Sequence, residues 1–149
     1  MVHALLVQLP VPQLNFGHQT GNIPFGAACL HQAAVHVTNA RVEIFSQISA
    51  SYMGDAALLD CILAQRPEII GFTTYVWNVS RVLYLIKELK AHYAPRIVLG
   101  GPEVTDDNPL LDDDLIDFRV YGEGERLFVQ LLQEPALWSR KSGRAEAGD

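Results

Sequence analysis

The chain has 149 residues, 49% of them hydrophobic and 19% charged, which describes one folded domain able to bury about two-thirds of its unfolded surface. Its 17 acidic and 11 basic residues leave a net charge of −6, excluding the broad basic footprint that nucleic acid or an anionic membrane requires. Two cysteines, Cys29 and Cys61, lie far apart in apolar helical stretches, so they read as buried thiols rather than a zinc knuckle or an iron–sulfur triplet.

Residues 1–8 show no charged leader or small-residue cleavage site, and no apolar run approaches about 18 residues. The expectation is a cytoplasmic, soluble protein. Residues 4–7 form a first strand, stopped by Gln8-Leu9-Pro10-Val11-Pro12 because proline cannot donate to a ladder. A long loop follows to about Asn22, carrying Asn15, Gly17, His18, Thr20 and Gly21; loops of that length in compact domains are often functional.

A helix opens at Ile23-Pro24-Phe25-Gly26, with proline tolerated in its first turn, and runs to about Thr38. Gly26, Ala27, Ala28, Ala33 and Ala34 let it lie close on a sheet or a flat ligand. Residues 42–45 are a second strand and residues 56–65 a second helix, ended ahead of Pro67 because the residue before proline avoids the helical region.

Residues 69–72 are unbroken apolar, as in a parallel strand covered on both faces. Asn78 reads as the cap of a helix whose Val79, Val82, Leu83, Ile86, Leu89 and Tyr93 recur at helical spacing. Residues 96–99 make a fourth strand leading into Gly100-Gly101-Pro102-Glu103, residues 110–115 a short helix, and residues 118–121 a fifth strand. Gly122-Glu123-Gly124-Glu125 then turns into a last helix through Leu132.

Strand and helix alternate five times, which specifies an α/β fold: a doubly wound five-stranded parallel sheet, flavodoxin-like or Rossmann-like, in three α/β/α layers. The domain is expected to span residues 1–134, with residues 135–149, aperiodic and basic, as a linker or frayed tail of a longer chain.

In such sheets ligands sit beyond the carboxyl ends of the strands, where strand order reverses. Four endings collect the unusual residues: 8–21, 73–77, 100–103 and 122–125. A phosphoacceptor receiver is excluded, because Gln8, Thr73 and Tyr121 stand where its acids and lysine belong. A three-glycine dinucleotide fingerprint is absent. A flavin carrier remains open through Gln19-Thr20-Gly21-Asn22, although Pro24 removes one amide donor. A domain without cofactor, serving protein contacts, is a further alternative. His3, His31, His36 and His92 form no pair placed for a metal, and Asp112-Asp113-Asp114 reads as a solvated face.

Thr73-Thr74-Tyr75-Val76-Trp77-Asn78, Ile97-Val98-Leu99-Gly100-Gly101-Pro102-Glu103-Val104 and Tyr121-Gly122-Glu123-Gly124-Glu125, in that order and spacing, resemble the cobalamin-binding domain that precedes the barrel of cobalamin-dependent radical SAM proteins. Leu9-Pro10 and Ile23-Pro24-Phe25-Gly26 fit as well, so the resemblance runs to about Leu132. It implies a corrinoid held against the loops, its nucleotide tail running into the sheet edge and its face presented to the barrel. Thr73, Thr74 and Tyr75 would then lie near the tail or the lower corrin face, and Val76 and Trp77 near the macrocycle. Gly100 and Gly101 would make room for the tail, with Pro102, Glu103, Gly122 and Glu123 completing the site. On that view Gly101→Leu obstructs the tail and leaves the fold intact.

The relatives that ligate cobalt through histidine carry Asp-x-His-x-x-Gly after the first strand. Here no aspartate precedes His18 at that spacing, and without a carboxylate on its second nitrogen His18 is a weak ligand. No Cys-x-x-x-Cys-x-x-Cys triplet occurs. An iron–sulfur cluster and S-adenosylmethionine therefore belong to a missing downstream barrel, and the domain by itself is not expected to be catalytic. The assembled enzyme would be a methyltransferase or a tetrapyrrole-type cyclase.

Overall fold

The computed structural model describes residues 1–11 and 23–145. His18 and the Thr20-Gly21-Asn22 loop lie outside them. β1 (His3–Gln8), β2 (Arg41–Ile44), β3 (Ile69–Thr73), β4 (Arg96–Gly100), β5 (Phe118–Tyr121) and β6 (Ser142–Arg144) form one sheet in the order β2-β1-β3-β4-β5-β6. Every pairing is parallel. The order reverses beside β1, between β2 and β3, which is where a doubly wound sheet opens its crevice.

Helices cover both faces. α1 (Phe25–Val35) and α5 (Glu125–Gln133) pack on one, where Ala27, Ala34, Leu127, Phe128 and Leu131 meet Ala4, Leu6, Ile69, Val98 and Val120. α2 (Gln47–Tyr52), α3 (Asp55–Gln65) and α4 (Val79–His92) cover the other, against Leu5, Val7, Ile70, Phe72, Ile97 and Leu99. The central strands are therefore apolar on both faces. α4 buries Val79, Val82, Leu85, Ile86 and Leu89 at the three- and four-residue spacing of one helical stripe.

The strand count differs from the five expected. Ser142–Arg144 adds a sixth strand beside β5, in the stretch read as a linker. Ahead of it, Pro135–Arg140 winds into a 3-10 turn that buries Leu137 and Trp138. The Trp138 indole donates to the Leu131 carbonyl at 3.0 Å, meets Phe118 edge-on, and carries the Arg96 guanidinium over its ring. Gly143 lets β6 pack closely there, since a Cβ would stand 2.7 Å from a Leu127 methyl and push that side chain aside. A tight turn and a three-residue strand leave no hydrophobic period to read.

Smaller differences have local causes. The short helix expected over residues 110–115 is only the 3-10 turn Pro109–Leu111, set by the Asn108 side chain accepting from the Leu110 amide. α2 was not anticipated; Ser46 caps it by accepting from the Ser49 amide. α3 ends on Arg66 in the left-handed region at φ 45°, donating to the Ile62 carbonyl ahead of Pro67. No described helix is long and apolar enough to cross a membrane.

Candidate functional site

A cleft of about 230 Å³ opens between the sheet and the α1/α5 layer. Its floor is Leu6, Gly71, Val98 and Val120, from four adjacent strands. Gly26, Ala27 and Leu30 of α1 form one wall, and Gly124, Glu125 and Phe128 at the start of α5 the other. Thr73, Tyr75, Gly100, Gly101, Gly122 and Glu123 ring the end nearest the carboxyl ends of the strands.

The ladder puts Gln8 opposite Thr73 and Thr73 opposite Gly100. This row closes the regular sheet beneath the loops. Thr74, one residue on, is fully buried and bridges the strand ends: its amide and its hydroxyl both donate to the Gly100 carbonyl, at 2.7 and 2.8 Å. Its carbonyl accepts from the Glu103 amide at 3.2 Å.

Asn78 supplies a second brace. It is buried, yet its side chain makes no capping bond to α4. Instead its amide nitrogen donates to the carbonyls of Leu9 and Thr73, at 3.2 and 3.1 Å, while its oxygen accepts from the Tyr75 amide at 2.8 Å. One side chain thus joins the ends of β1 and β3 at the reversal of strand order, and closes the turn that carries Tyr75, Val76 and Trp77. The Tyr75 and Trp77 rings stack at 4.4 Å, 6° from parallel. Val76 beside them is 74% exposed.

Of the residues singled out from sequence, Thr73, Tyr75, Gly100, Gly101, Gly122 and Glu123 line the cleft. Thr74 lies beneath it as a brace, and Val76 and Trp77 project from the turn at its rim. Pro102 and Glu103 belong to the loop after β4, where the Asn108 side chain donates to the Glu103 carbonyl at 3.0 Å. Sequence reasoning gave Asn78 no role beyond a cap, read Gly26 as letting the first helix lie close on a sheet or a flat ligand, and did not place Gly71, Leu30 or Phe128 at the site. Gly71, inside a strand that is otherwise apolar and bulky, was the available signal, because a glycine there weakens the strand unless something needs the space.

The glycines divide by cause. Gly101 and Gly122 have φ of 102° and 75°, a region that side chains disfavour, so their loops require them. Gly26 and Gly100 have no such φ, and a Cβ on either would meet nothing within 4 Å. What these two contribute to the lining is empty space. Among the described residues the lining contains no lysine or arginine and two carboxylates, Glu123 and Glu125. Among the described residues no cluster of three or more His, Cys, Asp or Glu could hold a metal ion. The cleft is apolar along its floor and opens toward the carboxyl ends of the strands.

Residues 22–132 match the family model of the B12 binding domain. The chain belongs to that family. Among curated proteins it is 34% identical over 70 residues to the cobalamin-dependent radical SAM methyltransferase TokK of Streptomyces tokunonensis, a match covering 45% of this chain and 10% of TokK. It is also 34% identical over 71 residues to the 2-(S-pantetheinyl)-carbapenam-3-carboxylate methyltransferase of Streptantibioticus cattleyicolor, covering 46% and 10%. The solved structure of the radical SAM methyltransferase TsrM of Kitasatospora setae with cobalamin and a [4Fe-4S] cluster superposes with a TM-score of 0.67 at 20% identity, over 96% of this chain and 26% of TsrM. TsrM with tryptophan and a SAM analogue gives 0.68 at 19%, over 92% and 26%. This B12-binding domain is thus similar to those of cobalamin-dependent radical SAM methyltransferases, and it spans about a tenth of the length of the curated relatives.

Proposed function

We propose that this chain is the cobalamin-holding module of a cytoplasmic radical SAM methyltransferase or cyclase, which presents the corrinoid to a barrel elsewhere in the same longer protein. The observation that carries this is the pair Gly26 and Gly100. In a B12-binding domain they face each other's layer across the cleft and leave open space that neither backbone conformation nor neighbouring atoms demand.

The nucleotide tail would enter over Gly71 and Gly100, between α1 and α5, with Thr73 and Tyr75 as polar anchors. Gly101, Gly122 and Glu123 would border it. The stacked Tyr75–Trp77 pair and Val76, fixed by the Asn78 brace, would pack against the macrocycle, and Pro102 and Glu103 would support the adjoining loop. When bound, the corrinoid supplies a cobalt centre that can carry a methyl group. The protein's part is to bind and orient it and to keep water from the tail.

Exposed apolar side chains follow the same edge: Ile23 and Phe25 before and within α1, Ile48 in α2, Val76 and Trp77 after β3, and Leu110 after β4. A ligand and a second domain seated there would cover them. The two free thiols suit a reducing compartment. With β6 packed against β5, we take the module to continue through Arg144 rather than to stop at residue 134. The flavin alternative rests on Thr20-Gly21-Asn22, which lie outside the described residues.

Titration of hydroxocobalamin into the purified chain, followed by visible absorption and by calorimetry, tests the function. Saturable binding with a spectral shift is expected. No saturation at tens of micromolar cobalamin overturns it and leaves a domain of protein contacts.

A further inference from the structure

Gln8 ends β1 with its side chain on the cleft side of the sheet. Leu6, two residues earlier and so on the same face, lines the floor; Thr73, its partner across the ladder, lines the mouth. The residue is 5% exposed. Its amide nitrogen reaches the Ile23 carbonyl, just ahead of α1, at 3.5 Å. A carbonyl can take only the NH₂ end of an amide, so the oxygen is turned the other way, and Oε1 is buried with no hydrogen-bond partner among the described residues.

A buried, unpartnered amide oxygen is costly to maintain, whereas an apolar residue of the same shape would cost nothing there. Leucine or methionine would serve packing better at the end of a strand that reads Ala4-Leu5-Leu6-Val7. The polar group therefore has a use in another state of the molecule. The cleft, at about 230 Å³, is below the volume of about 300 Å³ or more that small-molecule sites usually offer. Its α1 wall must move outward to admit a bulky ligand. That wall begins where Gln8 is tied by one long hydrogen bond, with no side-chain cap on α1.

We propose that Gln8 is a ligand-binding residue: as the α1 wall parts from the sheet, its Oε1 accepts a hydrogen bond from an N–H or O–H donor of the bound corrinoid. This rests on the cobalamin function proposed above. The donor belongs either to the amide-bearing corrin periphery or to the nucleotide sugar, and the two are told apart by a corrinoid without the nucleotide, cobinamide.

The test uses Gln8→Met, which removes the amide at similar volume, and Gln8→Asn, which keeps it but withdraws it by one methylene. Thermal melting of the free proteins is measured alongside calorimetric titration with cobalamin and with cobinamide. Gln8→Met is expected to melt no lower than wild type and to bind cobalamin about five- to tenfold more weakly; Gln8→Asn is expected to bind weakly as well. A loss confined to cobalamin assigns the donor to the nucleotide, and a loss shared with cobinamide assigns it to the corrin periphery. Equal cobalamin affinity in Gln8→Met overturns the proposal. So does a clear fall in melting temperature of the free Gln8→Met protein, which would make the amide a structural tie to Ile23. Failure of the wild type to bind is a different result, overturning the cobalamin function itself.

Discussion

Gly101 folds back over the peptide of Thr74 so closely that a Cβ on it would lie 2.6 Å from the Thr74 carbonyl oxygen and 2.8 Å from its nitrogen. Both atoms are backbone, already engaged with Glu103 and Gly100, and cannot yield. With φ at 102°, alanine at this position is strained twice over. Gly101→Ala is expected to destabilise the chain by about 2–4 kcal/mol, read as a lower midpoint in urea. Gly101→Leu is therefore no probe of ligand space, contrary to what the glycine pair suggested in sequence, because the loop fails first.

Gly100 is the better probe. It lies in a strand, its Cβ would enter open space, and it takes part in the Thr74 bonds only through its own carbonyl, which a side chain at this position leaves in place. Gly100→Val should keep the melting temperature within a few degrees of wild type. Cobalamin affinity should fall by about tenfold or more, since the new methyls occupy the cleft. Unchanged affinity in this variant would remove Gly100 from the site.

Asn78→Leu keeps the volume and removes all three braces, leaving the Leu9 and Thr73 carbonyls and the Tyr75 amide to find other partners. A loss of about 2–4 kcal/mol is expected in chemical denaturation. Asn78→Asp keeps the acceptor for Tyr75 and, with its carboxyl protonated, one donor in place of two, so at low pH it should fall between Asn78→Leu and wild type.

Tyr93 follows α4, and burial pushes its hydroxyl up to about 12, against a smaller opposing pull from the Arg66 guanidinium. Arg66 lies over the ring, and the hydroxyl donates to the Pro67 carbonyl at 3.1 Å. The folded state thus holds this proton at pH values where the unfolded chain, near its ordinary value of about 10, has lost it. Stability contributed by the neutral phenol is complete below pH of about 10 and is lost as the pH rises toward 12. Melting temperatures measured across that window should fall less in Tyr93→Phe than in wild type.

The parallel α/β alternation was legible because its buried strands and the α4 stripe leave uninterrupted or helical apolar patterns, and the endings at Thr73, Gly100 and Gly122 announced themselves through residue types that break those patterns. What could not be read depends on distance through space. Asn78 looks like any helix cap until Leu9, far away in sequence, is seen to accept its amide. Gly100 and Gly101 look equivalent, and only the backbone of Thr74 tells them apart. Trp138 sits in an aperiodic basic stretch, and its burial against Phe118 is a tertiary fact with no local signature.

The row Gln8–Thr73–Gly100 and the Thr74 bonds beside it join the strand ends at the cleft in a continuous hydrogen-bonded ladder, whereas among the described residues α1 and α5 meet the floor through side-chain packing. A ligand entering there would disturb the α1 wall more than the ladder. Backbone amides of β3 and β4 should exchange with deuterium slowly whether or not a corrinoid is present, and protection should change in the first turn of α1, which has no side-chain cap.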